Sequence, residues 1–343
     1  MEKQQRLDLI KKIQEKRKSV VITYFTSTRQ NSEVIMAMDQ VRIIFDHLLE
    51  ITKDGKKNID LFICSNGGDG TVPWKLVTLL REYSTKLSVL VPFRAFSAAT
   101  LTALGADEII MHPMGMLGPT DPTVSNDFNP NNPTNPQQKL GISVEDVTAY
   151  INLIKEDAGI NHDDELVQAF NKLPDHIHPL ALGNVKRSLS QSRMMAKKLL
   201  ALHMDSAKNQ HDIEEIIENL TSKLYFHGHP INRLEAKNQI GIRTVGDCDK
   251  ELEGLIWELF TGYETIMKLK EPFNPVFEFI KAYPSLTVNK PELTEIKEST
   301  LAIIESTISS DFNVLKYQIT GVKQPNGVIN TQLSTLFQGW TKN

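Results

Sequence analysis

The chain has 343 residues, 40% of them hydrophobic and 23% charged, with a net charge of −4. That length admits one large domain or two modest ones with a substantial core, and the charge balance excludes a general nucleic-acid binder. Two cysteines, Cys64 and Cys248, exclude a disulfide framework and fit a reducing compartment. Residues 1–18 read as an amphipathic helix with Leu7, Ile10 and Ile13 on one face, without the apolar centre of a signal peptide. No apolar run approaches the length of a membrane span, so a cytoplasmic location is expected. Strands are expected at 19–25, 59–64, 87–91 and 108–111, and helices at 34–49, 72–83 and 97–106. This alternation argues for an α/β fold with a mostly parallel sheet.

Residues 115–122 are rich in turn formers, and 123–138, rich in Asn and Pro, read as a mobile surface loop. Helices follow at 143–158, 180–202, 213–220, 233–239 and 252–269. The long helix from 180 is expected to supply subunit contacts. Beyond residue 270, Pro272, Pro275, Pro284 and Pro291 punctuate a soft boundary. The expected division is a helix over 1–18, a main domain over 19–270 and an α/β extension over 271–343. Within that extension a helix is expected over 295–305, then strands over 312–320 and 327–331 joined by a turn at 321–326.

Ser97 stands where the apolar run ending at Val91-Pro92 hands over to a helix of small residues. Taken alone it reads as a helix N-cap. Gly67-Gly68, directly after a strand, reads alone as a tight turn. Together they describe something narrower. Glycine lets backbone approach a ligand closely, and the amide after the serine, that of Ala98, is unpaired at a helix start. One N–H from Gly67 and one from Ala98 would form an oxyanion hole, worth about 3 kcal/mol per donor in acyl transfer. Gly68 would shape the loop that binds an extended substrate. Asp69 and Asp121 flank this cleft. Gly67-Gly68-Asp-Gly70 lacks the Lys-Ser/Thr of a phosphate loop. His176-x-His178 and His227-x-His229 lack a completing acid or cysteine, so no metal and no cofactor are expected. His203 reads as a packed or capping histidine and Cys64 as a core residue.

The stretches Cys64-Ser-Asn-Gly-Gly-Asp69, Ala95-Phe-Ser-Ala-Ala-Thr-Leu-Thr-Ala-Leu-Gly-Ala-Asp-Glu-Ile109 and Met116-Leu-Gly-Pro-Thr-Asp-Pro122 carry a resemblance. They resemble the serine dehydrogenase proteinase family of Clp-fold serine peptidases, relatives of signal peptide peptidase A in the Clp/crotonase superfamily. His178-Pro-Leu-Ala-Leu-Gly-Asn184, His227-Gly-His-Pro-Ile231 and Glu235-Ala236 extend the likeness, which covers about residues 19 to 265. Ala99 departs from it, since relatives usually carry glycine there. The resemblance implies a Clp/crotonase-like fold of repeated ββα units and peptide substrates bound as an added strand. It also implies assembly into trimers or larger rings, and Ser97 as nucleophile.

The base stays open between two lineages. Clp protease uses a histidine, for which His112 is the nearest candidate, but the Clp pattern aligns Thr120 with the base position. The signal peptide peptidase lineage uses a lysine beyond a mobile loop, where Lys139 stands; Lys155 and Lys186 are further contenders. An apolar wall from Leu140 and Ile142 would disfavour the ammonium form of Lys139. Two other readings compete: a crotonase-like acyl-CoA enzyme using the same oxyanion hole, and a non-catalytic peptide-binding scaffold. Hydride chemistry is discounted, because no Gly-x-Gly-x-x-Gly follows the first strand.

Overall fold

The computed structural model describes residues 1–222, 224, 228–282, 292–324 and 327–342. The chain opens with α1 (Lys3–Arg17), β1 (Val20–Thr26), α2 (Met38–Ile51), β2 (Lys57–Cys64), α3 (Val72–Tyr83) and β3 (Ser84–Val91). The short β4 (Arg94–Ala95) precedes α4 (Ala98–Leu104), β5 (Glu108–Met111) and β6 (Met116–Leu117). A flap follows, made of β7 (Thr123–Val124), β8 (Asn131–Asn132), β9 (Asn135–Lys139) and β10 (Ile142–Ser143). Then come α5 (Val144–Asn152), one π turn (Leu153–Asp157), α6 (Asp163–Phe170), α7 (Pro179–Leu200) and α8 (Gln210–Thr221). β11 (Ile231–Asn232), α9 (Arg233–Asn238), β12 (Val245–Gly246), α10 (Lys250–Ile266) and α11 (Pro275–Ala282) lead to three long strands. These are β13 (Glu292–Glu305), β14 (Ser310–Lys323) and β15 (Ile329–Lys342).

One mixed α/β sheet organises these elements, in the order β12-β5-β3-β2-β1-β13-β14-β15. The first five strands are parallel, as expected from strands that alternate with helices. Their central stretches, such as Ile59–Cys64, are buried whichever way the side chains point, because both faces are covered. On one face Ile22, Tyr24, Leu61 and Val89 pack against α2, α3, α4, α7 and α8. On the other, Val21, Phe25, Phe62 and Leu90 pack against α1 and α10. Phe25 lies 5.8 Å from Phe62 and 4.5 Å from Tyr263, ring centre to ring centre.

Residues 295–305 form a strand, not the expected helix. The run Ser299-Thr-Leu-Ala-Ile-Ile304 suits either state by pattern. Here β1 and β14 flank it, and both ladders run antiparallel to it. Tertiary pairing therefore overrides local preference. The C-terminal stretch thus adds three antiparallel strands to the main sheet. A buried cluster ties it down: Arg6 binds both Glu305 oxygens at 2.9 Å, and Tyr263 and Ser310 donate to the same carboxylate at 2.6 and 2.7 Å. The strands expected at 312–320 and 327–331 are present and longer, and Gly321–Lys323 belong to β14 rather than to a turn. Pro284, Pro291, Pro325, Asn326 and His227 lie outside the described residues.

Two further differences bear on the site. The helix expected from Val34 begins at Met38, because Met36 forms a parallel bridge to Gly68. The loop expected over 123–138 carries paired strands instead. β7 pairs with β10, and β8 with β9. Ile142 and Val144 give the flap a small core with Ala181 and Val185 of α7. Asn129, 2% exposed, closes its base by donating to Val124 O at 2.8 Å and Leu140 O at 2.7 Å.

Candidate active site

Ser97 sits at the N-cap position of α4 with φ 52° and ψ −112°. Few residues other than glycine take a positive φ, and doing so costs about 1–3 kcal/mol. Such a strained turn between strand and helix presents a side chain outward. Ser97 makes no capping bond with its side chain. The capping explanation of this serine therefore fails, and its hydroxyl is left uncommitted to the helix.

The strain is held by the segments around it. Ser65, continuing β2, bridges Ala95: Ser65 N–H donates to Arg94 O and Phe96 N–H to Ser65 O, both at 3.0 Å. Thr100 donates to Ala95 O at 2.7 Å and accepts from Gly118 N–H at 3.0 Å. Gly67, at φ +92°, lies against the serine so closely that a Cβ would stand 2.5 Å from Phe96 O and 2.8 Å from Ser97 Cβ. Gly68 lies as closely against Met36, where a Cβ would stand 2.4 Å from its nitrogen. Both glycines are demanded by close backbone approach.

The amide geometry corrects one expectation. Gly67 N–H donates to Ser65 Oγ at 3.0 Å, and Ser65 Oγ also bonds Thr26 Oγ1 at 2.7 Å. Gly67 therefore has no free donor for an oxyanion. Gly67 O and Asp69 N–H both bond Met36. In extended backbone the residue between them, Gly68, turns its N–H to the opposite edge. Among the described residues, neither Gly68 N–H nor Ala98 N–H makes a hydrogen bond.

Ser97, Ala98, Gly67 and Gly68 line one cleft of about 480 Å³. Its other walls come from Glu33–Ile35, from Thr120 and Thr123, and from Ser188, Gln191 and Ser192 on α7. Ser192 Oγ donates to Thr120 O at 2.6 Å, fixing that peptide. Thr120 is 3% exposed, and its hydroxyl has no hydrogen-bond partner among the described residues. Asp69 lines the cleft, where its carboxylate accepts from Thr71 N–H at 2.8 Å and Thr71 Oγ1 at 2.7 Å. Asp121 is buried between Thr120 and Pro122. Among the described residues, no lysine, arginine or histidine lines this cleft.

The sequence matches, over residues 1–177, the family described as ClpP-like SDH-type serine proteinase. The chain belongs to that family. Two curated relatives are uncharacterised Methanocaldococcus jannaschii proteins. MJ0137 is 32% identical over 123 residues, 34% of this chain and 42% of that protein. MJ1495 is 39% identical over 66 residues, 19% of this chain and 23% of that protein. The chain thus spans less than half the length of either. Among solved structures, a mutant 1510-N membrane-bound stomatin-specific protease in complex with a substrate peptide is 14% identical, with a TM-score of 0.38. That likeness covers 68% of this chain and 77% of the other. The ClpP protease catalytic domain from Plasmodium falciparum is 14% identical, with a TM-score of 0.35, covering 71% and 89%.

A serine proteinase needs a base, and the structure separates the candidates for it. His112 is on the far face of the sheet from Ser97. Its ring stacks on Trp257 of α10 at 4.8 Å, and its Nδ1 accepts from Met114 N–H at 3.0 Å. Burial pushes its pKa down. Thr120, where the Clp pattern expects the base, brings a hydroxyl and no imidazole. Lys155, on the π turn, and Lys186, on α7, are exposed and do not line the cleft. Lys139 is exposed at the end of β9 and outside the cleft lining. It is nevertheless carried by the flap whose base strand, β7, brings Thr123 into the cleft.

The α7 residues Ser188, Gln191 and Ser192 escaped the sequence reading. Their signal was a small polar stripe at helical spacing, in line with the buried Met195 and Leu199. His203, His178 and His229 have structural partners. His203 Nε2 meets Leu104 O at 2.8 Å, at the end of α4. His178 Nδ1 accepts from Leu180 N–H, and His229 lies 2.6 Å from Glu235. Cys64 is a buried free thiol, pushed up to about 11 by burial. Among the described residues, no three His, Cys, Asp or Glu side chains gather as a metal site, and no helix is long and apolar enough to cross a membrane.

Proposed function

We propose that this chain hydrolyses peptide bonds through a Ser97 nucleophile, with the Gly68 and Ala98 amides as oxyanion donors and Lys139 as base. The observation that carries the reading is Ser97 itself: a strained backbone, an uncommitted hydroxyl, and a glycine loop packed directly against it. An extended peptide laid along the free edge of Gly68 would bring a carbonyl between the two donors.

Lys139 reaches Ser97 when the hairpin of β8 and β9 folds over the filled cleft. Covering the amine with substrate disfavours its ammonium form, so that it can accept a proton. Ser97 Oγ then attacks the carbonyl carbon as its proton passes to Lys139. The amine returns that proton to the leaving nitrogen as the peptide bond breaks. Water hydrolyses the acyl-serine in the same way. The acyl-CoA reading would use the same donors without a nucleophile, and the presented Ser97 hydroxyl favours the peptidase.

The test is labelling of the full chain with a fluorophosphonate, alongside cleavage of a peptide library. Ser97 is expected to be the labelled residue, and Ser97→Ala to lose both labelling and cleavage. Labelling elsewhere, or cleavage that survives Ser97→Ala, would reject the assignment.

A further inference from the structure

The charged side chains on the walls of the Ser97 cleft are both acids, Glu33 and Asp69. Asp69 has a structural task, since its Oδ1 accepts from Thr71. Glu33 has none: it is exposed, and its carboxylate makes no hydrogen bond or ion pair among the described residues. Its place is nevertheless fixed. Val34 N–H donates to Ser27 O and Met36 N–H to Gly67 O, both at 2.8 Å, so the backbone on either side of Ile35 is pinned beside the glycine loop. Val34 and Ile35, the latter 62% exposed, give this wall an apolar surface next to the carboxylate. Arg94 bonds Asn66 Oδ1 at 3.2 Å, yet it lies over the rings of Phe93 and Phe96 and does not line the cleft. Elsewhere on the walls, the buried Thr120 hydroxyl lacks a hydrogen-bond partner among the described residues. A buried polar group without a partner is costly, and a ligand that bonds it removes the cost.

We propose that the cleft selects peptides carrying lysine or arginine beside the bond presented to Ser97, with Glu33 as the residue that reads the cation. The inference rests on the peptidase reading above and adds a substrate class to it. Extended peptide backbone supplies the polar groups that Thr120 and Gly68 leave unanswered. A lysine or arginine side chain supplies the rest: its stem covers Val34 and Ile35 while its head stays hydrated beside Glu33. Walls carrying charge of one sign concentrate ligands of the other sign. A glutamate or aspartate in the same place meets Glu33 and Asp69 with no cation on the walls to offset them. An exposed charge pair is worth about threefold in either direction, so lysine and glutamate should differ by about tenfold.

The test uses peptides alike except for lysine, norleucine or glutamate at each position in turn. Binding is read by fluorescence anisotropy on the full chain carrying Ser97→Ala, and cleavage on the wild type. At low salt the best lysine peptide is expected to bind about tenfold tighter than its glutamate counterpart, with norleucine between them, and added salt should shrink the ratio. Glu33→Gln in the same background is expected to bring the ratio below about threefold. Glu50→Gln, at an exposed acid of α2 that does not line the cleft, should leave it unchanged. Equal binding of the three peptides, tightest binding of norleucine, no binding of any, or a ratio that Glu33→Gln leaves intact would each overturn the selectivity. The two readings fail separately. Lysine-selective binding without cleavage rejects the peptidase alone, and cleavage indifferent to charge rejects the selectivity alone.

Discussion

The Gly67–Gly68 loop and the flap over residues 123–143 face the same cleft and are held in contrasting ways. The loop is wedged into backbone on two sides, so that a single methyl at Gly67 would stand 2.5 Å from a carbonyl oxygen. The flap rests on a four-residue core of Ile142, Val144, Ala181 and Val185, closed by the side chain of Asn129. The proposed nucleophile and its proposed donors are therefore preformed, whereas the proposed base rides on a lightly anchored element. Oxyanion donors work best when they need no reorganisation. A lysine that must lose its charge can instead be exposed until substrate covers it.

Removing the proposed base should have the largest effect on this contrast. Lys139→Ala is expected to lower kcat/KM by about 10²–10⁴-fold, the usual worth of a general base, with the unfolding midpoint unchanged. Retained activity would remove the flap from the chemistry. Next comes the loop. Gly67→Ala, whose added methyl would push against Phe96 O, Ser97 Cβ and Ala98 N, is expected to cost about 10²–10³-fold in kcat/KM, the magnitude of a disturbed oxyanion hole, and to lower the midpoint as well. Gly55→Ala is the control: it has φ +111° with nothing within 4 Å, so it should cost only about 1 kcal/mol of backbone strain and no activity. Similar activity losses for the two would mean that packing against Ser97 is not what matters at Gly67.

A smaller effect is expected from Asn129→Ala, which leaves two carbonyls unpaired for about 1–3 kcal/mol of local stability. Limited proteolysis should then cut first within 123–143, with global unfolding little changed. An unaltered cleavage pattern would show the flap to be as firm as the loop.

The smallest effect lies away from both regions. His47 is buried between Ser306 Oγ at 2.8 Å and Asp311 at 3.0 Å. Burial pushes its pKa below the ordinary 6.5, against the opposing pull of Asp311. The unfolded chain therefore takes up the proton first. The contribution of His47 is complete above 6.5 and is lost as pH falls below it. Thermal midpoints of His47→Gln should accordingly converge on the wild type as pH drops from 7.5 to 5, and parallel curves would contradict this.

Much of the site was legible in the chain before folding. Ser97, Gly67 and Gly68 stand at strand ends, where residue type and the change of period mark a turn. Which glycine amide is free was not legible, because that depends on Ser65 and Met36 lying on either side of the loop. Ser188, Gln191 and Ser192 were missed because they lie some 90 residues beyond the serine and reach it only through the packing of α7. Residues 295–305 were misread because their apolar positions suit both periods, and only the neighbours β1 and β14 choose between them.

By itself the sequence determined the alternation of strands and helices, and hence the parallel half of the sheet. It also determined the glycines that permit close approach, since these depend on local sterics and on burial of periodic apolar residues. Tertiary structure alone decided that the Gly68 and Ala98 amides are left without a bond among the described residues, and it alone decided the strain at Ser97, the third wall of the cleft and the joining of the C-terminal strands to β1. Each of these depends on groups distant in the chain meeting at hydrogen-bond range, which no local pattern encodes.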